Sequence, residues 1–139
     1  MGGPGYCNNK TYNCFDNFFP AVFTMDGKLY KSSEQCYQAS KFVDEKWSEK
    51  IRNTYSSDMA YDLGQDRFHK LIDNFEEKKV ELMYKANFAK FSQNKSLRDT
   101  LLSTGDHKIS FTGSTNFWNK YNAEILMRIR SELREIFTI

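Results

Sequence analysis

The sequence lacks the means for a cysteine framework or a metal site. Three of its 139 residues are cysteine, Cys7, Cys14 and Cys36. That odd number, with no CxxC and no Cys/His cluster, argues against both a disulfide scaffold and zinc. No apolar run approaches the length needed to span a bilayer, and the start has no secretory hydrophobic region. Met1-Gly2 begins like a myristoylation signal, but Tyr6 stands where Ser or Thr is needed. The formal net charge of +2 excludes the concentrated basic stripe of a protein that coats a duplex through many phosphates. There is no Gly-rich phosphate loop, no GxSxG and no HExxH, so phosphoryl transfer, serine hydrolysis and zinc proteolysis lose support. The expectation is a monomer of the cytoplasm or nucleus, with no membrane partner, no metal and no cofactor.

What is present is enough for one core. The length fits a single domain, and 40% hydrophobic with 27% charged residues excludes wholesale disorder. Aromatics reach 16%, with 12 Phe and 8 Tyr; about two thirds of that excess is assigned to core and the rest to a pocket that stacks a planar ring. Residues 1–12, Gly- and Asn-rich without periodicity, read as a flexible N-terminus, and 13–139 as the domain.

Within that domain, Asp26-Gly27 between β-prone flanks predicts a short hairpin over Ala21 to Tyr30. Ser32 caps a helix running to about Asp44, with Gln35 in a capping box. Trp47, Ile51 and Tyr55 space out a second helix, and Ser56 or Ser57 starts a third that Gly64 ends in the left-handed conformation. A long helix covers 73–92 with Asp73 as its cap, and Phe75, Leu82, Met83, Ala86 and Ala89 or Lys90 on one face. A short helix starts at Ser96 and stops before Gly105, Lys108 to Thr112 alternates as a strand, and the last helix spans about 122–137. The class is α+β: compact, mainly helical, one domain, with a short hairpin and few strands.

Chemistry concentrates on the helix after Ser32. Glu34, Gln38 and Lys41 fall at i, i+4 and i+7 and share a face, with Tyr37 interleaved. From spacing alone a solvated surface is favoured by two or three to one. Against that, Glu34 lies in the first turn, where converging N–H groups favour an anion. Lys90 to Asn94 reads first as a helix C-terminus. Trp118, in the polar stretch Ser114 to Asn119, reads equally as a core plug or as a ring that stacks on a base. His69 and His107 are read as surface residues.

Several ordered blocks carry a resemblance. They are Phe15-Asp16-Asn17-Phe18-Phe19-Pro20, Ser33-Glu34-Gln35-Cys36-Tyr37-Gln38-Ala39-Ser40-Lys41-Phe42, Leu63-Gly64, Met83 leading into Lys90-Phe91-Ser92-Gln93-Asn94, Leu101 to Gly105, Phe117-Trp118, Asn122, and Ile125 to Arg130. Together, over about residues 13–133, the chain resembles the NADAR (YbiA-like) family of N-glycosidases. The resemblance implies hydrolysis of a ribosyl N-glycosidic bond, with Glu34 and Lys41 catalytic. It implies substrate contacts at Asn17, Phe18, Tyr37, Gln38, Lys90, Trp118 and Asn122. Family activities fall on phosphoribosylamino-pyrimidine intermediates of riboflavin synthesis and on ADP-ribose attached to guanine bases. This chain has Asn116 and Asn119 around Phe117-Trp118 where many relatives carry an acid and then Trp-Gly, Phe75 where Trp is common, and Phe111 near a position often held by Glu. These departures favour ADP-ribosylated guanine, as nucleoside or nucleic acid, as the substrate partner. The non-enzymatic alternative is a module that binds ADP-ribose or a nucleotide without cleaving it.

Overall fold

Two hairpins, each closed by a pair of positive-φ residues, frame the start of the chain in the computed structural model, which describes residues 2–137. The first joins β1 (Gly5–Cys7) to β2 (Lys10–Tyr12) through Asn8 and Asn9, at φ 51° and 64°. The second joins β3 (Phe23–Met25) to β4 (Lys28–Tyr30) through Asp26 and Gly27, at φ 53° and 77°. Both are two-residue loops, and positive φ at both positions matches the right-handed twist of the strands. The second is the hairpin expected from Asp-Gly.

The first hairpin corrects the expectation of a flexible segment over residues 1–12. β1 pairs antiparallel with β2 and also with β5 (Ile109–Phe111), and Gly5 and Cys7 are buried. A side chain at Gly5 would meet the Phe15 ring at 2.8 Å, so glycine there lets the strand lie directly on the core. The limits expected at residues 1 and 139 lie outside the described residues.

Among the described residues six α-helices supply most of the mass: α1 (Ser33–Ser40), α2 (Glu45–Arg52), α3 (Ser57–Gly64), α4 (Phe75–Gln93), α5 (Lys95–Ser103) and α6 (Asn116–Phe137). With two small sheets this is the mainly helical α+β architecture expected. α1 ends earlier than Asp44 because the chain turns extended: Phe42 bridges Leu71, and the Lys41 carbonyl accepts from the Ile72 N–H at 2.8 Å. Asp44 caps α2 instead, accepting from the Lys46 and Trp47 N–H groups. Tyr55 falls outside α2 and is 95% exposed. Asn74, not Asp73, precedes α4, in the left-handed region at φ 59°. α6 begins six residues before the expected start, because Thr115 Oγ1 accepts the Trp118 N–H at 3.2 Å.

Two packed clusters meet along α1 and α4. Tyr37, Met83 and Phe91 belong to one with Phe15, Leu101, Trp118 and Ile129; Cys36, Ala39, Ala86 and Ala89 belong to the other with Phe23, Phe42 and Ile51. α1 is therefore covered on every side, and all residues from Ser33 to Ala39 are buried. A helix with that many polar side chains is expensive to bury unless each is bonded.

Candidate active site

The bonds that offset this burial begin at Asn17. Its carbonyl accepts the Glu34 N–H at 3.0 Å, and the Ser33 hydroxyl lies 3.2 Å from that carbonyl and from Asn17 Oδ1. Asn17 Oδ1 also accepts from Asn87 Nδ2 at 2.9 Å, and Asn17 Nδ2 donates to Asn122 Oδ1 at 3.1 Å. One buried asparagine thus ties the start of α1 to α4 and α6. The turn that carries it is held in turn: Asp16 Oδ1 accepts the Phe18 N–H at 2.9 Å, and Lys90 Nζ donates to the Asp16 carbonyl at 3.0 Å.

Glu34 and Gln38 are both 0% exposed and Lys41 is 4% exposed, so the shared face looks into the protein and not into solvent. Gln38 Nε2 donates to Glu34 Oε2 at 2.5 Å. Gln38 Oε1 lies against α3, where a β-carbon on Gly64 would come within 1.9 Å of it. Gly64 keeps helical backbone, so it is there for this close approach and not for the left-handed stop expected of it.

Lys41 Nζ reaches the Gly64 carbonyl at 3.5 Å and lies 5.2 Å from the Tyr37 ring centre and 5.6 Å from that of Phe75. Its pKa is pushed down from the usual lysine value to about 8, first by burial and then by the charge of Arg67. Glu34 opposes that fall, Lys79 adds to it, and Glu76 opposes it weakly. A lysine in this state is a usable nucleophile near neutral pH. Tyr37 packs edge-on to Trp118 at 5.4 Å, and burial raises its hydroxyl pKa well above the usual tyrosine value.

The sequence pattern of the NADAR domain matches residues 6–134. The chain belongs to the NADAR domain family. It is 39% identical over 114 residues to the N-glycosidase YbiA of Escherichia coli, covering 81% of this chain and 71% of that one. It is 29% identical to an N-glycosidase of Nostoc punctiforme over 142 residues, covering 94% and 91%. A riboflavin biosynthesis protein of Vibrio vulnificus shares 32% identity over 94% of this chain, which spans 38% of that longer protein. The solution structure of Escherichia coli YbiA superposes with a TM-score of 0.83 at 34% identity, covering 94% of this chain and 83% of that one.

Within the NADAR chain the residues expected at the site fall into two groups. Glu34, Tyr37, Gln38 and Lys41 come together on α1, and Asn17 and Asn122 hold the start of that helix. Trp118 lies on α6 at 6% exposure within the core, not in a loop. Lys90 is 0% exposed and lies over the Phe19 and Phe91 rings, so its contacts are with the segment carrying Asn17 and not with Glu34. Phe18 is half-buried, tilted against Tyr61 at 6.2 Å, and lines a cavity of about 550 Å³ with Gln35, Tyr55 and Ser57. Neither Glu34 nor Lys41 lines that cavity.

Asn87, Arg67 and Phe117 were not found from the sequence. Asn87 is buried at 1% exposure in the Asn17 network, where an alternation-based reading sees only a polar residue in a long helix. Phe117 is 39% exposed, with Lys79 Nζ 4.4 Å from its ring centre. Among the described residues no group of His, Cys, Asp and Glu is arranged to hold a metal, and no helix is long and apolar enough to cross a membrane.

Proposed function

We propose that this chain is an N-glycosidase that removes ADP-ribose from guanine bases, with Lys41 as nucleophile and Glu34 as the proton-handling group. The observation that carries the reading is the placement, along α1 and at its C-cap, of a buried carboxyl and a buried lysine whose pKa falls to about 8. The N-glycosidase names of the relatives support the reaction class. The missing acid beside Trp118 supports the guanine-linked substrate.

In this mechanism the Lys41 amine attacks the anomeric carbon as the bond to the guanine nitrogen breaks, and a proton passes to the departing base. The ribose ring then opens: its oxygen takes a proton from the new C–N link, leaving an imine between Lys41 and the sugar. Water, deprotonated by Glu34, adds to the imine carbon; collapse releases the amine and free ADP-ribose. Gln38 and the Asn17 network hold Glu34 in place, and Asn122 acts through Asn17. Lys90 positions the Asn17 turn from below. Tyr37, packed on Trp118, backs the Lys41 side chain.

The test is time-resolved product analysis on ADP-ribosylated guanosine. Free ADP-ribose is expected from the native chain, with a loss of at least about a hundredfold in kcat for Glu34→Gln. A fully active Glu34→Gln removes Glu34 from the mechanism, and saturable binding without product shows a reader in place of a hydrolase. The second reading, cleavage of phosphoribosylamino-pyrimidine intermediates, is favoured by the Vibrio vulnificus relative's riboflavin role. It predicts turnover of that compound and none of ADP-ribosylated guanosine.

A further inference from the structure

Asn87 is an unexpected residue for its place. It stands well inside α4, where asparagine is a poor helix former, and it is buried. Both of its amide protons are used. Nδ2 donates to Asn17 Oδ1 at 2.9 Å and to the Met83 carbonyl, one turn back, at 3.1 Å. Turning the amide over would set its oxygen against those two acceptors, so the donors fix its orientation. They do so although its own Oδ1, also buried, has no partner among the described residues. A side chain that serves neither the helix nor its own acceptor is the kind a site retains for another reason.

What Asn87 fixes is the sense of the Asn17 side chain. With a proton of Asn87 aimed at it, the Asn17 oxygen is held towards α4, where it also lies 3.2 Å from the Ser33 hydroxyl. Asn17 Nδ2 is thereby turned to α6 and donates to Asn122 Oδ1 at 3.1 Å. The amides of Asn87 and Asn17 run donor to acceptor in one direction, so each bond polarises the next. The main-chain carbonyl of the same Asn17 takes the Glu34 N–H at 3.0 Å. Lys90 follows Asn87 by three residues on one face of α4 and donates to the Asp16 carbonyl at 3.0 Å. α4 therefore grips this turn at two neighbouring points.

We infer that Asn87 is a positioning residue for the glycosidase reaction: by fixing which way the Asn17 amide points, it sets the first turn of α1 and with it the Glu34 carboxyl. The inference rests on the reading of Glu34 as the proton-handling group and deepens it by adding a residue from a different helix. Asn87 is buried and its bonds go to Asn17 and Met83, so it works through Asn17 and not on the substrate. Its loss therefore falls on kcat and leaves KM alone. Leucine in its place keeps the bulk and removes the donor, which separates filling the core from directing the amide.

The test reads hydrogen exchange at the Glu34 amide, relative to the amides of α2, beside turnover of ADP-ribosylated guanosine and of the phosphoribosylamino-pyrimidine. Asn87→Leu is expected to speed Glu34 exchange and to lower kcat on the compound cleaved, each by about tenfold, with KM held. Added to Asn17→Ala, it should cost little beyond Asn17→Ala alone, because it acts through that residue. Asn87→Asp keeps the shape and carries the test if the leucine variant does not fold. Protonated, its carboxyl still donates to Asn17 Oδ1; ionised, it sets acceptor against acceptor. Its turnover relative to the native chain should therefore fall, and its Glu34 exchange quicken, as rising pH ionises that carboxyl. Native Glu34 exchange and native kcat in these variants, with only a shifted melting temperature, would show a packing residue and overturn the inference. Losses that add in full to those of Asn17→Ala would overturn it too. A native chain that cleaves neither compound would sink the hydrolase reading, while Glu34 exchange in the two variants would still decide this one.

Discussion

Two lysines of this chain are buried, and burial drives both to a pKa of about 8, yet their surroundings differ. Lys90 sits among aromatic rings with one carbonyl partner, that of Asp16, and its remaining electrostatic neighbours are Cys14 and Asp16. Lys41 sits among Glu34, Arg67, Glu76 and Lys79, beside an exposed guanidinium. The first braces a turn through a single carbonyl. The second is surrounded by two carboxyls and two further cations. A lowered lysine pKa therefore reports burial first, and the company of other ionisable groups is what distinguishes Lys41 from Lys90.

The sharpest way to break this comparison is to remove each head group. Lys41→Met should abolish turnover of ADP-ribosylated guanosine, by at least about a thousandfold, with the fold intact by circular dichroism. Lys90→Met should keep more of its activity than Lys41→Met and change stability instead, since it removes a buried charge and one of the two bonds to the Asp16 carbonyl, which keeps the Phe19 N–H at 3.0 Å; a lost bond of this kind is worth about 1 kcal/mol. Equal activity losses in the two variants would erase the distinction.

Next in size is Gly64→Ala, which pushes on Gln38 and through it on Glu34. A β-carbon 1.9 Å from Gln38 Oε1 forces that side chain to move. Alanine also gains about 1 kcal/mol of helix propensity. Activity should thus fall by about tenfold or more while the melting temperature changes little; retained activity would show that Gln38 does not hold Glu34 in its working position.

A separate effect is expected on stability against pH. Both lysines have folded pKa values below the usual lysine value, so below about 8 both states are protonated and burial of the charge is fully costly. Between about 8 and 10.5 the unfolded chain binds more protons than the folded one. Stability should therefore rise with pH across that window, by roughly 3 kcal/mol per lysine at the outside. Denaturant unfolding of the native chain and of Lys90→Met checks it: the variant should lose about half of the rise, and an identical profile would mean Lys90 is not held as inferred.

How much of this was legible in the sequence depended on whether the signal was local. The Asp26-Gly27 hairpin and the Ser32 cap carry their structure in two to four residues, and both formed as read. The Asn8-Asn9 hairpin was missed because three-residue strands are too short to alternate. The start of α6 was missed because Ser114, Asn116 and Asn119 have turn composition, although Asn119 closes on both backbone groups of Ser114 and so serves the helix start. At the site, spacing placed Glu34, Gln38 and Lys41 together but assigned that face to solvent. What buries it is the packing of α3 and of the Asn17 turn, which is tertiary. Asn87 and Arg67 are single residues far along the chain, and nothing beside them in sequence points to Asn17 or to Gly64.

The central claim is that the Lys41 amine bonds to the sugar. Borohydride added during turnover of ADP-ribosylated guanosine, followed by mass spectrometry of the digested chain, tests it directly. A reduced ribosyl adduct on Lys41, absent from Lys41→Met and absent from Lys90, is the expected result. An actively turning-over enzyme that leaves no adduct on Lys41 would contradict it and leave that residue only the role of a buried cation.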